Sequence, residues 1–193
     1  MDVPRPSYRY VGPSELRGLV RTGGEGARIR SAADFTRWVA ARGVDERAEP
    51  FTFVVDTEGV LRLAPRRSEH VVCAGGEAVL SAGEVSFREE SGQWVVDEVS
   101  NQSTGYCPDV DSWPAVAGAL ARAGFERPRG FTHQVVFRRC EACGQVNVVR
   151  EDDFVCVFCD EALPSGWNID QEGCQVVTAT DDFRRSRRSA SSG

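Results

Sequence analysis

Lysine is missing from all 193 residues, and each of the 23 basic side chains is an arginine. That absence excludes a Schiff-base lysine and the phosphate-binding lysine of a P-loop. An arginine-favouring coding bias is the simpler account of it; selection against an acceptor for lysine-directed modification is the alternative. Histidine is nearly as scarce, with only His70 and His133. No Ser-His-Asp spacing and no Rossmann fingerprint is present. Long apolar runs are lacking too: none approaches the roughly 18–20 residues that span a bilayer, so no membrane partner is expected. The opening MDVPRPSYRY has no basic start followed by an apolar run. No signal peptide is therefore expected, and a cytoplasmic protein is.

What is present is an ordinary globular composition, 41% hydrophobic and 27% charged, in a length that suits one medium domain and a small appendage. The charge is unevenly placed. Residues 1–139 carry 18 arginines against 19 acids, residues 140–182 one arginine against ten acids, and residues 183–193 four arginines and no acid. A nucleic-acid reader concentrates positive charge on its binding surface. The 140–182 segment has the opposite sign, which argues against nucleic acid and for a basic protein partner.

Seven cysteines is an odd number, and four of them stand in two Cys-x2-Cys pairs: Cys140 with Cys143, and Cys156 with Cys159. This spacing is a metal clamp rather than a secreted disulfide framework. Two pairs separated by a short segment can fold back so that four thiolates converge, the soft tetrahedral set that zinc prefers. The segment Cys140–Asp170 resembles a zinc ribbon. Gly144 follows the second cysteine of the first knuckle, where backbone amides must turn toward sulfur, and Asp160 holds the matching place in the second. The resemblance implies a structural Zn2+, because four cysteine ligands leave no coordination position for water or substrate. A redox pair is the competing reading of these thiols.

Upstream, helical and strand patterns alternate. Ser14 caps a helix to about Thr22. Ser31 opens a second, with Phe35, Trp38 and Val39 on one face and Gly43 as its end. Phe51–Asp56 and Val60–Leu63 read as a hairpin around Asp56-Thr-Glu-Gly59. Ala78–Ser81, Glu84–Arg88 and Gln93–Val99 read as further strands, with a tight connection at Glu90-Ser91-Gly92. Ser112 and Pro114 start a third helix whose stripe is Trp113, Val116, Ala117, Leu120 and Ala121, with Gly124 as its stop. Phe131–Arg138, Val146–Val149 and Phe154–Val157 are expected strands, and Gln175–Thr178 an edge strand. The fold class is α+β: an antiparallel sheet with two or three helices over residues 1–130, a zinc ribbon over 131–180, and an Arg/Ser tail over 181–193.

One loop gathers polar chemistry. Asn101-Gln-Ser-Thr-Gly-Tyr-Cys-Pro108 precedes a helix N-terminus, where free N–H groups favour anions. His70 is the candidate acid or base. A small-molecule or catalytic pocket would draw on His70, Asn101, Ser103, Tyr106 and Cys107; capping and hydrogen-bonded packing roles are the competing reading. The pieces His70, Ala74-Gly75-Gly76, Ala82-Gly83-Glu84 and Ser103-Thr-Gly-Tyr106-Cys-Pro108 resemble, in part, a pattern of plant calmodulin-binding IQ-motif proteins and some bacterial toxin modules. That pattern ends in Ser-Gly-His-Tyr-x-Pro. Thr104 and Gly105 stand where it has Gly and His, so no role of that second histidine carries over. Two functions are thus in view: a zinc-stabilised interaction protein whose acidic ribbon docks a partner, or a small-molecule site with the ribbon as accessory.

Overall fold

The computed structural model describes residues 6–169; the expected strand at Gln175–Thr178, Cys174 and the Arg/Ser tail lie outside the described residues. Seven strands and five short helices build an α+β fold: α1 Ser14–Arg17, β1 Ala27–Ile29, α2 Ala32–Ala40, α3 Val44–Ala48, β2 Phe51–Asp56, β3 Leu61–Ala64, α4 His70–Cys73, β4 Val79–Glu90, β5 Gln93–Ser100, α5 Trp113–Arg122, β6 Val136–Arg139 and β7 Val146–Val149. The first five strands form an antiparallel sheet in the order β1-β3-β2-β4-β5, and β6 pairs with β7 separately.

Strand β2 lies in the middle and is buried at every position. Its alternation explains how. Phe51, Phe53 and Val55 face the cluster that contains Phe35 and Val39 of α2 and Val116 and Leu120 of α5. Val54 points the other way, into a second cluster with Val71 and Cys73 of α4, Val79, Ala82 and Tyr106. Period-two side-chain direction therefore gives one antiparallel strand two apolar layers. Phe35 is fully buried at the centre of the first layer, 4.4 Å from Phe87 and 5.2 Å from Phe125 between ring centroids. Tilted and edge-on rings of this kind suit the aromatic quadrupole.

Local chemistry sets the connections. Ser31 Oγ accepts the Asp34 amide at 3.1 Å and caps α2. Ser91 and Gly92 both take positive φ (52° and 79°), the two-residue turn whose twist matches the β4–β5 hairpin. Asp56 accepts from the Glu58 and Val60 amides and so closes the β2–β3 loop. Helix α4 ends in a Schellman motif: the Gly76 amide donates to Val71 O and the Gly75 amide to Val72 O, both glycines at positive φ.

Several elements differ from the expectations. The runs at Ala78–Ser81 and Glu84–Arg88 are one strand of 12 residues, β4. Gly83 continues it instead of breaking it, pairing with Phe53, and the position is glycine because a Cβ there would meet Ser100 O at 1.9 Å. Helix α1 stops at Arg17 and does not reach Thr22. Helices α3 and α4 are additional; at five and four residues they are too short to carry a periodic pattern. The strand expected at Phe131–Arg138 begins only at Val136, since Thr132 and His133 instead donate their amides to Val99 O beside β5. Phe154–Val157 is not a strand; a single bridge, Val155 to Ala162, stands in its place.

Candidate metal centre and the polar loop

Strand β6 delivers Cys140, and β7 starts six residues later at Val146, so the first knuckle is the turn of a short hairpin. Within it the Gly144 amide donates to Cys140 O at 2.8 Å and the Cys140 amide to Gln145 O at 2.9 Å. The second knuckle repeats these bonds sixteen residues on: Asp160 to Cys156 O at 2.9 Å and Cys156 to Glu161 O at 2.8 Å. Gly144 has φ 75° and Asp160 has φ 60°, so Asp160 adopts the left-handed conformation at the place where glycine serves the first knuckle. Between the knuckles, Glu151 and Asp152 take positive φ (53° and 57°) in a turn that bridges Arg150 to Asp153.

The four sulfurs converge. Cys140 Sγ lies 3.6 Å from Cys159 Sγ, Cys143 Sγ lies 3.6 Å from Cys156 Sγ, and all four fall within 4.8 Å of one another. A tetrahedral metal with bonds of about 2.3 Å to sulfur would hold its ligands roughly 3.8 Å apart, so this set fits such an ion. Among the described residues it is the one group of His, Cys, Asp and Glu able to hold a metal. Cys140 and Cys156 are buried, while Cys143 and Cys159 face solvent.

The surroundings favour thiolate at one corner. Burial raises Cys156, but the amides of Phe158 and Cys159 and the side chain of Asn147 more than offset it, and the thiol falls to about 6. Cys159 moves the other way. The Glu161 amide lowers it, yet burial and the neighbouring sulfurs push it up to about 12. Sulfurs this crowded resist ionising together unless a cation balances them.

Asn147 is an outer support that no sequence motif marks. It is buried on β7, points Nδ2 at Cys156 Sγ at 3.5 Å and at Gln145 O at 3.0 Å, and accepts the Val157 amide at 3.0 Å. One amide side chain thus ties both knuckles together. Its only trace in the sequence is a polar residue inside the run Val146-Asn-Val-Val149. The apolar packing around the cysteines is slight: Leu163 is buried there, with Val149 and Phe154 beside it.

Asn101 and Trp167 tie the cysteine segment to the chain that follows β5, and Arg138 and Asn168 tie β6 to the end of that same segment. Asn101, fully buried, donates through Nδ2 to Pro108 O and Val135 O and accepts the Val135 amide. Trp167 Nε1 donates to Cys107 O at 2.8 Å, and its ring stands edge-on to Tyr8 at 5.1 Å. Arg138 is buried and donates to the carbonyls of Phe137, Pro164 and Ser165. Asn168 pairs with Arg139 through both its amide groups at 2.8 Å.

The remaining sequence candidates are placed as follows. His70 opens α4 and its Nε2 donates to Gly83 O at 3.0 Å; burial pushes its imidazole below the usual value, against the raising effect of that carbonyl. Tyr106 is buried and donates to Glu77 O at 2.7 Å. Cys107 is buried at φ 45°, donates to Thr104 O, and is pushed up to about 12 by burial. Ser103 Oγ is buried and has no hydrogen-bond partner among the described residues. Ala74, Ala82 and Tyr106 share the second apolar layer, so pieces of the 70–108 pattern meet there as packing. A groove of about 420 Å³ runs past the same loop, but Gln102 and Thr104 line it, with His133, Val135, Phe137 and Val148.

The fold and site together define an α+β protein with a C-terminal cluster of four cysteines positioned to hold a metal ion, consistent with a small zinc site. No family model, no curated protein and no solved structure matches this chain. The resemblances drawn above therefore rest on the residues that carry them. No helix among the described residues is long and apolar enough to cross a membrane.

Proposed function

We propose that Cys140, Cys143, Cys156 and Cys159 hold a structural zinc ion, and that the ribbon folded around it is a docking platform for a basic protein partner. All-sulfur ligation supports zinc in a closed site, with its role in folding rather than catalysis. The domain reading stays as stated: an α+β domain over 1–130, a ribbon over 131–180 and a tail over 181–193. Reduced thiols in a metal site suit a cytoplasmic location.

The observation that carries the docking role is electrostatic. Glu141, Glu151, Asp152, Asp153, Asp160 and Glu161 are all exposed, and among the described residues none is in an ion pair. A zinc ion with four thiolates would add about two negative charges to them. Such a surface attracts cationic partners and repels nucleic acid. The test is affinity capture with the full chain beside a variant with Glu151, Asp152, Asp153 and Asp160 changed to arginine. A specific protein recovered by the wild type alone supports the role, and equal recovery by both contradicts it.

A second reading keeps a small-molecule site near His70, Asn101, Ser103, Tyr106 and Cys107. The unpartnered Ser103 hydroxyl is the observation in its favour. In that reading His70→Ala abolishes ligand binding without loss of stability. In the packing reading the same change loosens α4 from β4.

A further inference from the structure

The two knuckles share their backbone bonds but not their exposed residues, and the difference points to a contact surface. Glu141 and Ala142 occupy the tip of the first knuckle; Val157 and Phe158 occupy the matching places in the second. Both tips face solvent. The first knuckle therefore shows that this geometry needs no large apolar side chain at its tip. Yet Val157 is 75% exposed and Phe158 62% exposed, with Val155 at 43% and Val148 at 40%. These account for four of the six large hydrophobic residues that the described chain leaves exposed.

The tip is also held in place. The Val157 amide is bonded to Asn147 Oδ1, and the Phe158 amide interacts with Cys156 sulfur. Fixing the backbone beneath an apolar pair before a partner arrives lowers the ordering cost of binding. Asp160 and Glu161 follow directly in the chain, and Asp152 and Asp153 precede it. An aromatic anchor with a charged rim has the anatomy of a small interaction hot spot.

We infer that Val157 and Phe158 form the apolar anchor point of the docking platform. The segment it receives is a basic protein segment that presents an aromatic or aliphatic side chain flanked by arginine or lysine. This rests on the docking reading above and adds its chemistry: unpaired carboxylates attract the cations, and Phe158 supplies the apolar contact that keeps the segment bound. Charge sets encounter and selectivity, while the buried ring sets the dissociation rate.

The test pans a random twelve-residue peptide display library on the full chain. One enriched peptide is then titrated against the wild type, Phe158→Ser and the four-arginine ribbon variant, with zinc content measured for each. Enriched sequences are expected to combine two or more basic residues with an adjacent aromatic or aliphatic one. Phe158→Ser should weaken binding about tenfold or more at unchanged zinc content. Amide shifts in the wild type should centre on residues 155–161. If Phe158→Ser binds like the wild type while the arginine variant does not, the anchor is wrong and the charge reading stands. If both variants bind like the wild type, both fall. Enrichment of acidic or wholly polar peptides, or no enrichment, also overturns the inference. So does a wild-type chain that self-associates through this tip and dissociates on Phe158→Ser, since the occupant would then be a second copy.

Discussion

Asn101, itself fully buried, makes three hydrogen bonds to buried or part-buried main-chain groups, and it joins the chain after β5 to the chain leading into the knuckles. Asn101→Ala leaves the Pro108 carbonyl buried and unpaired and the Val135 groups part-buried and unpaired, which should cost about 2 kcal/mol in urea unfolding. The buried thiols should be inert: Cys73 and Cys107, both pushed up to about 12 by burial, escape iodoacetamide at pH 8 in the native chain and react once it is unfolded. The same shifts fix a pH dependence. A thiol whose value rises from 9.0 to about 12 on folding stabilises the native state fully below 9, and that contribution is lost as pH climbs toward 12. Tyr8, raised from 10.0 to about 12 chiefly by burial, acts in the same direction. Stability measured by thermal melting should therefore fall steeply above about pH 10. His70 has the opposite sign. Its lowered value favours the native state above 6.5 and withdraws that support as pH falls. At this scale the sequence supplies residue types alone; it could not say that the polar heads of His70, Asn101 and Tyr106 bond to carbonyls or amides distant in the chain.

At the scale of elements, the metal-binding segment depends on its ligands more than on its core. Leu163 is its one buried aliphatic side chain beside the cysteines, so metal affinity, on the order of 10 kcal/mol in comparable peptides, must supply most of its stability. Cys143→Ser should lose the metal and expose residues 140–169 to hydrogen exchange, while β1–β5 keep their protection. Full metal content with native amide protection in that variant would contradict this. The knuckles were legible because their signal is local, a fixed cysteine spacing with a turn residue after it. So were the hairpins at Asp56–Gly59 and Ser91-Gly92 and the caps at Ser31 and Gly124. Long β4 was not, because Ala82-Gly83 looks like a break until β5 is beside it; only the closeness of Ser100 O explains that glycine.

The whole molecule places exposed acidic residues and an exposed apolar tip after a well-packed sheet. Asn101 and Trp167 fasten that end to the chain after β5 through bonds that span 34 and 60 residues, while Arg138 and Asn168 hold the segment to itself. No pattern of spacing announces such long-range bonds. The α+β class and the antiparallel sheet follow from short-range patterns and are as expected. The two apolar layers around β2 come from its position in the strand order, which only the folded chain reveals.

Everything proposed for the ribbon rests on a single bound ion, so metal content of the purified full chain is the most direct measurement. Elemental mass spectrometry should find one zinc per chain in the wild type and none in a Cys143→Ser, Cys159→Ser double variant. A wild-type chain without stoichiometric zinc, or a double variant that retains it, would contradict the account.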